Sequence, residues 1–275
     1  MKRFIERLQD VWRQHDSLVC VGLDPEPDRF PALIASGAAP IFEFNRAIID
    51  ATADLVCAYK PQFAHYAAVG AEEQLARTIE YIRQHYPAVQ VVLDVKRGDI
   101  GSTAERYATE AFVRYGADAA TVNPYLGTDS LEPFLRYEDR GVIVLCRTSN
   151  PGGRELQELK APDVPLYQQV ATLAAQRWNS RGNCLLVVGA THPAELAQVR
   201  ALVGAMPLLV PGVGAQGGDV AQAVKNGQSA DGTGLLISSS RAILYASQGA
   251  DFASAARAAT ATLRAQINQH RTPAR

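Results

Sequence analysis

Three observations predict a (β/α)₈ barrel, an α/β fold of the TIM-barrel class. Eight short apolar runs recur along the 275 residues, amphipathic stretches with helical spacing lie between them, and no Gly-, Ser- or Pro-rich linker divides the chain. Alternating strands and helices imply parallel strands joined by right-handed crossovers. Eight such units in this length match a barrel. One domain over residues 1–275 is therefore expected.

A helix over Phe4–His15 opens the series. The strand-like runs follow at Ser17–Asp24, Asp54–Gln62, Val89–Lys96, Asp118–Tyr125, Gly141–Thr148, Asn183–Ala190, Pro207–Gly214 and Gly232–Ser240. Helical patterns such as Ala71–His85, Ser102–Tyr115, Leu166–Ser180, Pro193–Leu202 and Gly218–Asn226 separate them, and Ala250–His270 comes last. Two connections exceed an ordinary barrel loop. One runs from Pro25 to about Pro40 after the first strand; the other, Ser149–Pro165, follows the fifth and is rich in Gly, Pro and charge. Long loops on a barrel serve either as lids and binding loops or as surface insertions.

Composition narrows the function. The chain is 47% hydrophobic and 20% charged, with a formal net charge of -1. That balance offers no general attraction to nucleic acid or to an acidic membrane. No apolar run reaches spanning length, and the polar start Met1-Lys2-Arg3-Phe4 does not resemble a signal peptide. Cys20, Cys57, Cys146 and Cys184 each sit inside an apolar run without CxxC spacing or a nearby histidine pair. They read as small core residues in a reducing compartment. A cytoplasmic protein without a metal is the expectation.

The most informative segment is Val91-Val92-Leu93-Asp94-Val95-Lys96-Arg97-Gly98-Asp99. Side chains two apart on a strand share a face, so Asp94 and Lys96 should point the same way at the C-terminal end of strand three. Asp99 follows across a turn at Gly98. Charges at the end of an apolar strand are costly unless paired or used, and a structural ion pair is the alternative for this triplet taken alone. Active sites of such barrels lie at the C-terminal strand ends. There strand one offers Asp24, strand two Lys60, strand three Asp94 and Lys96, and strand five Arg147-Thr148-Ser149-Asn150. Four converging charges favour an active site.

Strands seven and eight carry a second signal. The run Pro211-Gly212-Val213-Gly214-Ala215-Gln216-Gly217-Gly218 follows one, and Ser238-Ser239-Ser240-Arg241 the other. Glycines let backbone N–H groups approach an anion, and the loops after these strands are the usual phosphate site of the fold. Arg241 can supply a charged fork and Gln216 an amide donor to the same phosphate.

Together these segments resemble the orotidine 5′-monophosphate decarboxylase family. The likeness rests on Gly22-Leu23-Asp24, Lys60-Pro61, Asp94-x-Lys96-x-x-Asp99-Ile100-x-x-Thr103, Thr148-Ser149-Asn150-Pro151-Gly152, the glycine run after strand seven, and Arg241. They span about residues 17 to 245 in the family's order, with the wording of the longer bacterial branch. The resemblance implies decarboxylation of orotidine 5′-monophosphate to uridine 5′-monophosphate in pyrimidine biosynthesis, with no cofactor and no metal. It implies Lys96 as proton donor within an alternating Lys60–Asp94–Lys96–Asp99 array. Asp99, Ile100 and Thr103 would come from the partner subunit of a homodimer with shared active sites. Asp24 and Thr103 would meet the ribose, Ser149 the pyrimidine edge, and Gln216, Arg241 and the backbone at Ser240 the phosphate. Ser240 stands where compact members often carry Gly, and Asn150 where some carry His; Asn150 receives no role. Two rivals are a magnesium-dependent sugar-phosphate decarboxylase or aldolase of the same superfamily and a non-catalytic nucleotide-binding barrel. Lys60 at the end of strand two, where the former carries an acid, opposes a cation site.

Overall fold

The structure, a computed structural model, describes residues 2–213 and 218–272. Eight parallel strands close into a barrel in chain order: β1 (Val19–Leu23), β2 (Ala58–Pro61), β3 (Gln90–Arg97), β4 (Ala119–Val122), β5 (Gly141–Arg147), β6 (Cys184–Val188), β7 (Leu208–Pro211) and β8 (Leu235–Ser239). β1 pairs with both β2 and β8, which completes the ring. The strands are short, mostly Val, Leu, Ile, Ala and Cys, and buried on both faces, as a parallel sheet wrapped in helices requires.

Except for the third, where β3 runs one residue further to Arg97, the predicted runs are longer than the strands they contain. Asp54 and Leu55 belong to a turn at Ala53–Leu55, and Asp118 precedes β4 as an ion-pair partner. The pattern over Ser102–Tyr115 is an α-helix at Gly101–Thr109 that widens into a π turn at Glu110–Arg114. The connection after β1 contains two short helical turns and leads into a helix at Pro40–Thr52.

The helix Phe4–His15 covers the N-terminal mouth of the barrel. Its face of Phe4, Leu8, Val11 and Trp12 is buried, and Gly141 lacks the Cβ that would lie 2.6 Å from the Phe4 ring. Arg7 bonds Gln90 and pairs with Asp118 at 2.9 Å, while the second Asp118 oxygen accepts the Val91 N–H. With that end plugged, the opposite mouth is left to hold a ligand.

Candidate active site

At the C-terminal mouth lies a cavity of about 410 Å³ whose lining comes from all eight strand ends and the loops beyond them. Asp24, Lys60, Asp94, Lys96, Ser149, Ser240 and Arg241 all line it. Asp99, Ile100 and Thr103 do not: they sit at and just before the start of the helix Gly101–Thr109, outside the cavity of their own chain. The Asp99 carboxylate accepts the Ile100 N–H at 2.8 Å, and Ile100 is 57% exposed. Gln216 lies outside the described residues.

Asp94 is the centre of the charge cluster. Its Oδ2 accepts from Lys60 Nζ at 2.9 Å and Gln62 Nε2 at 3.0 Å; its Oδ1 accepts from Lys96 Nζ at 2.6 Å and Thr121 Oγ1 at 2.8 Å. Burial alone would raise the Asp94 carboxyl, but Lys60 and Lys96 outweigh it and hold the group well below the usual carboxylate range. Burial likewise disfavours a charged Lys60, yet Asp94 and then Asp24 push its ammonium above the ordinary value. Both groups therefore stay ionised near neutral pH. Lys60 is enclosed, whereas the Lys96 side chain is 46% exposed.

Strand alternation brings Asp94 and Lys96 together only with help. The β3 register shifts between Leu93 and Arg97, and Lys96 takes φ +48°, a left-handed conformation rare for a residue with a Cβ. Thr121 holds this bulge: its Oγ1 accepts the N–H groups of Val95 and Lys96 at 3.0 and 2.9 Å while donating to Asp94. Local strain at a cavity-lining lysine is a feature of functional sites.

Thr121 and Gln62 were missed by sequence reasoning, which followed charges. Each left a trace: Gln62 continues the inward alternation two residues beyond Lys60, and Thr121 is the polar residue in an otherwise apolar β4. Arg147 is the converse case. Sequence placed it with the mouth residues, but it is fully buried behind the cavity and pairs with Glu158 at 2.6 Å. Its bonding partners lie on the 149–165 connection and near β6, which draws the guanidinium away from the mouth.

Asp24 Oδ1 is buried, lies 3.9 Å from Lys60 Nζ and has no hydrogen bond among the described residues. Such a carboxylate oxygen is an acceptor open to a donor. On the far side, Gly212 has φ +93°, and Gly218 donates its N–H to Gly212 O at 3.1 Å, closing the base of the loop between them. Arg241 follows β8 at the cavity edge. Ser240 folds over Gly22, whose absent Cβ would meet its Oγ at 1.9 Å. The glycine of Gly22-Leu23-Asp24 thus makes room for the Ser240 side chain.

The arrangement offers two ammonium groups around one carboxylate, an unengaged acceptor, and a guanidinium lining the same cavity as Gly212. Comparison with known proteins agrees. Over residues 17–258 the chain matches the Orotidine 5′-phosphate decarboxylase / HUMPS family. It is 61% identical over 267 residues to the orotidine 5′-phosphate decarboxylase of Cellvibrio japonicus, covering 96% of this chain and 98% of that one. It is 61% identical over 268 residues to the one of an Azoarcus species, covering 98% and 99%. The structure of Leishmania donovani OMP decarboxylase superposes with a TM-score of 0.83 at 40% identity, covering 97% of this chain and 99% of that one. With near-complete coverage in sequence and in fold, this chain belongs to the orotidine 5′-phosphate decarboxylase family.

Proposed function

We propose the following division of labour for the decarboxylation of orotidine 5′-phosphate to uridine 5′-phosphate, the step this chain performs in pyrimidine biosynthesis. The observation that carries it is Asp94 held between Lys60 and Lys96, with Lys96 the more open of the two. As the bond between ring carbon 6 and its carboxylate breaks, carbon dioxide leaves and the electron pair stays on the ring carbon. The Lys96 ammonium stabilises that carbanion and then donates a proton to it; solvent later restores the lysine. Asp94, kept anionic, faces the departing carboxylate, and their repulsion is relieved as carbon dioxide forms. Lys60 and the donors Gln62 and Thr121 keep Asp94 from moving away.

Asp24, with its unengaged oxygen, accepts the ribose hydroxyls, and Ser149 meets the pyrimidine edge. Arg241 and Gln216 hold the phosphate with the backbone at Ser240; Gln216 belongs to the loop whose base pairs Val213 with Gly218. The whole chain acts as one catalytic domain. It works as a homodimer in which each copy lends Asp99, Ile100 and Thr103 to the other's cavity. Their position outside their own cavity and the exposure of Ile100 support this sharing. Four unpaired buried thiols suit the reducing cytoplasm; among the described residues no helix is long and apolar enough to cross a membrane.

The test is the absorbance change on turnover of orotidine 5′-phosphate with a chelator present. Undiminished turnover is expected. Loss on chelation would favour the magnesium-dependent relatives, and absence of turnover in either condition would refute the assignment.

A further inference from the structure

Asn150 lines the cavity beside Ser149. The polarity of its amide is fixed from behind by Arg147. A guanidinium can only donate hydrogen bonds, so it dictates the role of every group it meets. Arg147 Nη1 donates to Gln157 Oε1 at 3.2 Å, and the Thr148 N–H donates to the same oxygen at 2.9 Å. With its oxygen taken by two donors, the Gln157 amide must present Nε2 on its other side, where it donates to Thr148 Oγ1 at 2.8 Å. The Thr148 hydroxyl proton then goes to Asn150 Oδ1, 2.7 Å away. Asn150 is left with its oxygen engaged and its Nδ2 as a donor, which no hydrogen bond among the described residues takes up.

We infer that Arg147, Gln157 and Thr148 form a polarised relay that sets Asn150 as a hydrogen-bond donor to an acceptor oxygen of the bound nucleotide. Arg147 and Gln157 are positioning residues, and Asn150 is a specificity determinant. The relay also ties the two ends of the segment 148–158, because Glu158 balances the buried Arg147 charge. A nucleotide presents acceptors on its phosphate, its ring carbonyls and its carboxylate, so a donor at Asn150 matches it where an acceptor would repel. The inference rests on the reading of this cavity as the orotidine 5′-phosphate site.

Gln157→Glu tests it by exchanging one amide nitrogen for oxygen. A glutamate still accepts from Arg147 and from the Thr148 N–H, but it cannot donate to Thr148 Oγ1. The hydroxyl turns to donate to it, Thr148 Oγ1 becomes an acceptor, and the Asn150 amide inverts to put oxygen toward the nucleotide. KM for orotidine 5′-phosphate should rise about tenfold or more, with kcat changed by less than about threefold, as expected for a lost ground-state hydrogen bond. Thermal stability should hold, because the new carboxylate faces Arg147. Asn150→Ala should raise KM in its own right, and the double variant should be no worse than the poorer single one.

A merely structural Gln157 would lower the melting temperature and leave KM alone. A folded Gln157→Glu protein with parental KM, or strictly additive losses in the double variant, overturns the inference. Should Gln157→Glu fail to fold, Asn150→Asp on the exposed loop makes the same reversal, and a parental KM there overturns it equally. A parent protein that turns over no orotidine 5′-phosphate removes the underlying reading instead, and the inference with it.

Discussion

Asp94→Asn isolates the centre of the site. All four groups around Asp94 are donors: Lys60 and Gln62 on one oxygen, Lys96 and Thr121 on the other. An asparagine keeps one acceptor oxygen and turns an NH₂ toward the remaining pair, so one pair of donors must face a donor. Thr121 cannot yield cheaply, because its hydroxyl already accepts two backbone N–H groups of β3. Lys60 cannot yield either, because its side chain is only 7% exposed and its nearest other carboxylate, Asp24, is 3.9 Å away. Unit charges 2.9 Å apart attract by roughly 6 kcal/mol at an effective dielectric constant of about 20. Orphaning one member of a buried pair typically costs about 3–5 kcal/mol. The two figures agree in scale, and Lys96, half open to water, adds little. Asp94→Asn should therefore lose about 3–5 kcal/mol in denaturant unfolding and roughly 10 °C in Tm. Adding Lys60→Met should recover much of that loss, since replacing a whole buried pair with apolar groups is far milder than breaking it. An Asp94→Asn protein within about 1 kcal/mol of the parent, or a double variant less stable than the single one, would refute this electrostatic account.

Stability should also follow pH with a definite sign. The Asp94 carboxyl is lowered on folding, so its contribution is present above its ordinary value of 3.8 and lost as pH falls through the folded value. The Lys60 ammonium is raised, so its contribution is present below 10.5 and lost as pH rises through the folded value. Unfolding titrations should show the difference between parent and Asp94→Asn constant between these limits and shrinking in acid; a difference that grows in acid reverses the sign. Arg241→Ala should raise KM and weaken uridine 5′-phosphate binding by about 1.5–3 kcal/mol, the scale of a hydrogen bond to a charged group; unchanged affinity by calorimetry would misplace the phosphate. For the shared site, Lys96→Ala and Asp99→Ala homodimers should each be nearly inactive. Random mixing makes half the dimers mixed, and each mixed dimer holds one native site, so about a quarter of all sites should recover. No recovery, with mixed dimers confirmed by mass spectrometry, would place Asp99 in its own chain's site.

Much of this was legible in the sequence because the barrel repeats a simple physical rule. Buried parallel strands must be apolar on both faces, so β1 to β8 stand out as runs, and charges at their ends are conspicuous because they are costly there. Asp24, Lys60, Asp94, Lys96 and Arg241 reach the cavity for that reason. Uncharged partners leave a weaker mark. Gln62 and Thr121 complete the Asp94 shell without breaking any pattern that a search for charges would notice. The bulge at Lys96 was invisible, because two-residue alternation assumes a regular strand and φ +48° is imposed by the hydrogen bonds of Thr121. Arg147 shows the opposite error: its position at the end of β5 pointed to the mouth, but Gln157 and Glu158, ten and eleven residues later, supply the acceptors that draw it inward. Such a contact depends on how the 149–165 connection folds back, which no local spacing encodes.

The central claim is that Lys96, set on Asp94, stabilises the carbanion and delivers the proton. It is tested most directly by Lys96→Ala, measured for orotidine 5′-phosphate turnover and, in the same preparation, for uridine 5′-phosphate affinity. Removing electrostatic stabiliser and acid together should lower turnover by at least about 10³-fold, while the nucleotide still binds through Asp24, Ser149 and Arg241. A folded, nucleotide-binding Lys96→Ala protein that keeps a tenth of the parent turnover would contradict the account.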